Sequence, residues 1–299
     1  MSQALSLFSK DLTEVVATQA PSIVEVDAGH RRGASGLVWA AEGLILTAAH
    51  KLLRDEDIQV GLDGGARLPA RLRGLDHSTD LALLEVERRD LRPVSFRTDT
   101  SPQVGELVIA LARPGKTVRA ALGILSTVSA GPWRGPGGVA LERYIESDIS
   151  GRIGFSGGLL VDAEGRGIGL NTGGLIRGAS MTIPQATLAR VVASLLAHGS
   201  VRRGFLGVAA QPIALEGAAK AISSAERGLI LVRIESGGPA ERGGLLVGDV
   251  ILSVDGQPVG DLRELLSVLD ETRIGRAVPV RILRAGATLE LPVTVEVRA

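Results

Sequence analysis

Between Ser22 and Pro184 the chain runs in short apolar or alternating segments closed by Gly, Pro and Asp: SIVEV, SGLVW, GLILTAA, IQVGL, LALLEV, LVIALA, RAALGILSTVSA, GGLLVD, GIGLNT and SMTIP. About a dozen such segments at close spacing, with little room for helices, predict an all-β barrel or sandwich. Ahead of them Leu5, Phe8, Leu12, Val15 and Val16 recur at helical spacing, which predicts an amphipathic helix over residues 3–19. Behind them PQATLARVVASLLAHG places Leu188, Val191, Val192, Leu195 and Leu196 on one helical face. Pro184 suits its start and Gly199 its stop. Val201-Arg202-Arg203-Gly204 is a short connection, and the remainder has the length of one small domain. That remainder reads strand (GFLGVAA), variable segment, strand (GLILVRI), turn (ESGGPAERGG), strand (DVILSVDG), helix and a closing hairpin about Ala285-Gly286. The helix, over 261–272, is signalled by Asp261 as N-cap, Glu264 three residues on, and Leu262, Leu265, Leu266 and Leu269 on one face. The chain therefore divides into a helical segment (1–20), a β region (21–200) and a second domain (204–299).

Composition narrows the function classes. Lys+Arg and Asp+Glu are equal at 33 each, so no basic balance points to nucleic acid. Aromatic residues are only 2%, too few for base-stacking platforms. With no cysteine there is neither a disulfide nor a thiolate metal site. His30, His50, His77 and His198 are too dispersed to suggest a histidine metal site. No uninterrupted apolar run reaches the ~18 residues of a membrane span. The N-terminus lacks the basic start and apolar core of a secretory leader. The expectation is a cytoplasmic protein as written, or an exported one whose leader has been removed.

The stretch GRIGFSGGLLVD sets Ser156 among Gly151, Gly154, Gly157 and Gly158, more glycine than a simple turn requires. A nucleophilic serine needs a neutral imidazole within reach, and the imidazole needs a carboxylate to fix its tautomer. His50 ends the apolar strand GLILTAAH, and Asp80 adjoins the strand LALLEV. Asp80 is preferred to Asp76 because its place beside the strand is better fixed. The order His, Asp, Ser is the one used on paired β-barrels. A glycine-rich turn also lets backbone N–H groups converge on an oxyanion, here from Gly154 and Ser156 with Phe155 between them.

At LILTAAH, HSTDLALLEV, GFSGGLLVDAEGRGIGLNT and MTIP the chain resembles the HtrA-type (Deg-type) serine proteases. RRGFLGV, GGPAERGGLLVGDVILSVDGQPV and the helix after them resemble the PDZ module of that family. The resemblance implies a mainly β, chymotrypsin-like double six-stranded β-barrel followed by an α+β PDZ domain. It implies a serine endopeptidase with His50, Asp80 and Ser156 as the triad and Gly154, Phe155 and Ser156 as the oxyanion hole. It implies that Phe205, Leu206, Gly207 and Val208 bind peptide C-termini, with Leu265, Leu266 or Leu269 lining the groove. Assembly as a homotrimer, action on unfolded polypeptide and a role in protein quality control are further implications; no metal or organic cofactor is implied. Phe155 departs from the asparagine usual before the nucleophile. Gly151 replaces a larger pocket residue, which suggests a roomier substrate pocket with Met181 on another wall. Ala130–Gly138, with Trp133, would be an activation loop. The contrasting reading is a pseudo-protease whose PDZ-like domain serves as a peptide-binding scaffold.

Overall fold

The computed structural model describes residues 3–29, 33–98, 101–135, 139–149, 153–176, 178–202, 204–223 and 225–297. It separates into two units, one of Met1–Trp133 with Val139–Val201 and one of Arg134–Gly138 with Arg202–Ala299.

The first unit opens with α1 (Gln3–Gln19). Strands β1 (Ile23–Asp27), β2 (Ala34–Ala40), β3 (Leu44–Ala48), β4 (Ile58–Gly61), β5 (Arg67–Asp76) and β6 (Leu81–Val86) follow. They close into a barrel in the order β1-β2-β3-β6-β5-β4. Next come β7 (Leu107–Ala112), β8 (Arg119–Val128), the two-residue strands β9 (Trp133–Arg134) and β10 (Ala140–Leu141), β11 (Ile145–Ser147), β12 (Leu159–Val161), β13 (Gly167–Thr172) and β14 (Met181–Pro184). Six of these close a second barrel, β11-β14-β13-β12-β7-β8. Helix α2 (Gln185–His198) ends on Gly199, whose φ of 71° permits its N–H to cap the Leu195 carbonyl at 2.8 Å.

The strands read as continuous apolar runs because both of their faces are buried. Val24, Val38, Ile45 and Leu84 fill the first barrel, while their neighbours Ile23, Leu37, Leu46 and Leu83 turn outward into a second core. On the second barrel Leu160 faces inward, while Leu159 and Val161 join that same outer core. Leu188, Val191, Val192 and Leu195 of α2 complete it, so one apolar cluster holds the two barrels and the helix together. Each fully buried Leu or Ile in it contributes about 1.5–3 kcal/mol. The apolar stripe of α1 is used in part: Leu12, Val15 and Val16 pack on this core, whereas Leu5 and Phe8 are exposed. No described helix is long and apolar enough to cross a membrane.

The second unit contains β15 (Gly204–Phe205), β16 (Val208–Ala214), α3 (Gly217–Ser223), β17 (Arg227–Ile234), α4 (Pro239–Arg242), β18 (Val250–Val254), β19 (Gln257–Pro258), α5 (Leu262–Val268), β20 (Ala277–Arg284), β21 (Ala287–Thr294) and β22 (Glu296–Val297). Its main sheet runs β16-β17-β18-β20-β21, which leaves β16 at an edge. Leu229, Leu231, Ile251, Val280, Ile282 and Val293 from the sheet meet Leu265, Val268 and Leu269 in one core. Helix α5 stops earlier than its leucine spacing suggests. Asp270 accepts bonds from the N–H and the hydroxyl of Thr272, starting a separate 3-10 turn over Glu271–Arg273. Helices α3 and α4, short as they are, replace stretches read from the sequence as a variable segment and a turn.

Asp261 caps α5 by accepting from the Arg263 and Glu264 N–H groups at 2.8 and 2.9 Å, and Glu264 returns a capping-box bond. The Glu264 N–H above all, helped by Arg263, holds the Asp261 carboxyl below its usual range against the opposing effect of burial. A carboxyl held low in the folded state adds stability above its unfolded pKa and loses it as pH falls through the folded value. Asp261→Ala should therefore cost about 1 kcal/mol near neutral pH. In urea unfolding of the full chain, the gap between wild type and variant should narrow as pH falls below the ordinary carboxylate range.

Candidate active site

The turn Asp76-His77-Ser78-Thr79-Asp80 joins β5 to β6, and its shape follows from its own side chains. The Asp76 carboxylate accepts from the N–H and the hydroxyl of both Ser78 and Thr79, at 2.7–3.1 Å. Asp80 then leaves the turn at φ 58°, a left-handed conformation that aspartate tolerates. Its carbonyl accepts from the Ala49 N–H at 2.9 Å, and its carboxylate faces His50.

His50 lies in a 3-10 turn, Ala49–Lys51, at the end of β3. Its N–H donates to Asp80 Oδ1 at 2.8 Å, and its Nδ1 lies 2.7 Å from Asp80 Oδ2. An ionised carboxylate only accepts, so Nδ1 carries a proton, and in the neutral ring Nε2 is the nitrogen with the lone pair. Asp80 is 4% exposed, whereas a third of the His50 side chain is open to solvent. The pair is thus anchored at the carboxylate and accessible at the imidazole.

Thr172, the last residue of β13, donates its hydroxyl to Asp80 Oδ2, and the Gly174 N–H returns to Thr172 Oγ1 at 2.9 Å. Between them the Gly173 N–H donates to Ser156 Oγ at 3.3 Å. Thr172-Gly173-Gly174 therefore touches the His50–Asp80 pair and Ser156 from a single strand end. Ser156 Oγ makes no hydrogen bond to His50 among the described residues. Sequence reading picked out His50, Asp80 and Ser156 but missed Thr172, Gly173 and Gly174. Their signal was present in GLNTGG, a polar pair closing an apolar strand before two glycines.

The turn carrying Ser156 is pinned from behind. The Gly157 N–H donates to the Asn171 carbonyl, and the Asn171 N–H to that of Gly158, both at 2.8 Å. Gly154 and Gly157 adopt φ of 88° and 84°. A Cβ on Gly157 would lie 1.9 Å from the Ser35 carbonyl oxygen, so only glycine fits there. The N–H groups of Gly154, Phe155 and Ser156 donate to no protein group among the described residues. Phe155 is half-buried and packs on the second-barrel cluster of Val108, Leu125, Ile145, Ile149 and Leu160. Its ring is thus an apolar anchor for the turn.

Met181 stands opposite Thr172 in the β13–β14 ladder and is fully buried with Leu159, Leu170 and Ile183. It reaches the site through packing, not through an open surface. Gly151 lies outside the described residues. Asn171 Nδ2 is buried without a hydrogen-bond partner among the described residues, while Asn171 Oδ1 accepts from Thr182 Oγ1 at 3.0 Å. Trp133 lies 5.1 Å from the Tyr144 ring, centroid to centroid, and packs on the shared core. Tyr144 donates to Glu146 Oε2 at 2.7 Å, and burial together with Glu146 pushes its pKa up to about 12.

In the second unit Leu206 is buried, and Gly207 has φ 76°. Their carbonyls accept from Ala240 and Glu235, each at 2.8 Å, while their own N–H groups donate to no described protein group. Phe205 pairs with Glu296, and Val208 opens the edge strand β16. Leu265 and Leu269 belong to the core, whereas Leu266 is exposed.

The family description Trypsin-like peptidase domain matches residues 34–170, and PDZ domain matches 204–295. A protein of Chlamydia muridarum named probable periplasmic serine endoprotease DegP-like is 32% identical over 272 residues, covering 87% of this chain and 53% of that protein. One of the same name from Brucella suis is 33% identical over 285 residues, covering 89% and 53%. The chain thus spans about half the length of these curated relatives. Among solved structures, the HtrA-type protease AlgW with tripeptide aligns at 31% identity and TM-score 0.76, covering 96% of this chain and 97% of that one. The serine endoprotease from Yersinia pestis aligns at 27% identity and TM-score 0.77, covering 96% and 98%.

A Cβ at Gly174 would lie 2.5 Å from both Asp80 Oδ2 and His50 Nδ1. Gly174→Ala should therefore break or lengthen their hydrogen bond. Proton NMR of the two proteins checks this: the downfield His50 Nδ1–H resonance of the wild type should vanish or move upfield in the variant.

Proposed function

Because this chain belongs to the HtrA-type protease family, we propose that it is a serine endopeptidase that cleaves unfolded or extended polypeptides. The observation that carries the reading is the 2.7 Å contact of His50 Nδ1 with Asp80 Oδ2, with Ser156 held at the same strand end by Gly173. Substrate carbonyl carbon is attacked by Ser156 Oγ as His50 Nε2 takes the hydroxyl proton. Asp80 stabilises the imidazolium so formed and does not itself take up the proton. Oxyanion charge develops where the N–H groups of Gly154 and Ser156, which meet no acceptor among the described residues, can meet it, each such donor contributing about 3–4 kcal/mol. Phe155, placed between them, holds the turn through its ring. His50 then protonates the leaving amine, and a water activated by the same imidazole releases the acyl group.

The second unit takes peptide C-termini. A terminal carboxylate meets the N–H groups of Leu206 and Gly207, in the loop from Phe205 to Val208, while the peptide adds as a strand along β16. Leu266, exposed on α5, offers apolar contact to its last side chain. The same reading includes a homotrimer, supported by the exposed Leu5 and Phe8 of α1, and a role in protein quality control. Relatives named periplasmic favour the exported of the two placements that the sequence allows.

Fluorophosphonate labelling tests the reading. The wild type should label, and Ser156→Ala and His50→Ala should not. Labelling only in the presence of an unfolded protein would identify a latent form, and none under either condition would favour the scaffold reading. A second measurement addresses specificity. Gly151 in place of a larger pocket residue predicts cleavage after large apolar P1 side chains, whereas cleavage of a P1-varied peptide library only after Val or Ala would contradict it.

A further inference from the structure

We infer that Ser35, on the first barrel, is the positioning residue that sets the oxyanion turn of the second; the inference rests on the serine-protease reading above. Ser35 is fully buried in β2, and two of its hydrogen bonds reach the Ser156 turn. Its hydroxyl donates to the Gly154 carbonyl at 2.7 Å, and its N–H donates to the Ser156 carbonyl at 3.3 Å. Two more fix Ser35 itself. Its hydroxyl oxygen accepts from the Arg113 N–H at 2.8 Å, and its carbonyl accepts from Thr47 Oγ1 at 2.7 Å.

A peptide group is planar and trans, so holding the carbonyls of 154 and 156 fixes directly the planes that carry the Phe155 and Gly157 N–H groups, and through them the peptide between. The carbonyls of 154 and 156 are the two acceptors of the turn held by Ser35, and both are drawn toward the first barrel. The peptide between 155 and 156, which supplies the Ser156 N–H, is held at both ends by these two anchored units. The same arrangement forbids a side chain on Gly157, whose Cβ would strike the Ser35 carbonyl oxygen. Arg113 sets the direction of the Ser35 hydroxyl, because its N–H occupies one lone pair and leaves the proton for Gly154. The Arg113 guanidinium is itself buried, on the carbonyls of Ile23, Ala20 and Lys116 and the Asp63 carboxylate. None of these groups touches substrate; they act by fixing two peptide planes.

Steady-state kinetics on a chromogenic peptide test this, with the rate of fluorophosphonate labelling at Ser156 measured alongside. Ser35→Ala removes the hydroxyl and leaves the Gly154 carbonyl without its donor. The expected result is a fall in kcat of about 10- to 100-fold, with KM within about twofold and labelling slowed in parallel, since oxyanion contacts act in the transition state. Ser35→Cys, with a weaker donor of similar shape, should fall between wild type and alanine, and carries the test if the alanine variant does not fold. Ser223→Ala removes a buried hydroxyl in the second unit that donates to the Ala219 carbonyl at 2.7 Å, and controls for the loss of a buried hydroxyl as such; its kcat should remain that of the wild type. An unchanged kcat in a folded Ser35 variant would overturn the inference, as would an equal loss in Ser223→Ala. Failure of the wild type to label at all would instead remove the protease reading on which the inference rests.

Discussion

A carboxylate as buried as that of Asp80 has to be satisfied on every side, because an unpaired charge in a protein interior costs several kcal/mol. Three donors meet the Asp80 carboxylate, and they come from two places in the fold: the His50 N–H and the His50 ring at the end of β3, and the Thr172 hydroxyl at the end of β13. The first barrel supplies the carboxylate and the imidazole, and the second supplies the hydroxyl. The charge is thus a joint between the barrels as well as a chemical group. The left-handed backbone at Asp80 belongs to the same constraint, since it sends the carbonyl to Ala49 while the side chain faces His50.

Around that joint the two barrels hold each other at several points of different character. Ser35 reaches from the first barrel to the Ser156 turn through hydrogen bonds, and the outer core joins both barrels through packing. Arg113, buried at the end of β7, connects the same turn to the backbone that leads out of α1. Polar contacts therefore set the orientation of the turn, and apolar contacts set the distance between the barrels that carry it. In the proposed reaction both are needed, since the oxyanion donors and the His50–Asp80 pair must face one carbonyl group.

Much of this was legible in the sequence. His50, Asp80 and Ser156 stand at strand ends among glycine and small residues, and those local patterns are visible without a structure. The strands of both barrels announced themselves as apolar runs, and α2 by its leucine and valine spacing between Pro184 and Gly199. What stayed hidden depends on distant pairs. Thr172 meets Asp80 across 92 residues, and Ser35 meets Gly154 across 119, so nothing in their immediate neighbours marks them. Ser35 reads as one small residue in an ordinary strand. The early stop of α5 was missed for the opposite reason: a local bond, Asp270 to Thr272, outweighed a continuing leucine period. Helix α4 starts at a proline and runs only four residues, too few to show periodicity.

The division of each barrel strand between two cores makes neighbours in the sequence remote in energy. Ile45 and Leu46 share a peptide bond yet contribute to different cores, while Leu37 and Leu170, far apart in the chain, belong to one. Additivity of substitutions should follow the cores and not the sequence, because effects couple through shared packing neighbours and add when there are none. Sequence drift within such a strand is then two separate histories interleaved residue by residue. One is constrained by the inside of its own barrel, and the other by the partner barrel and α2.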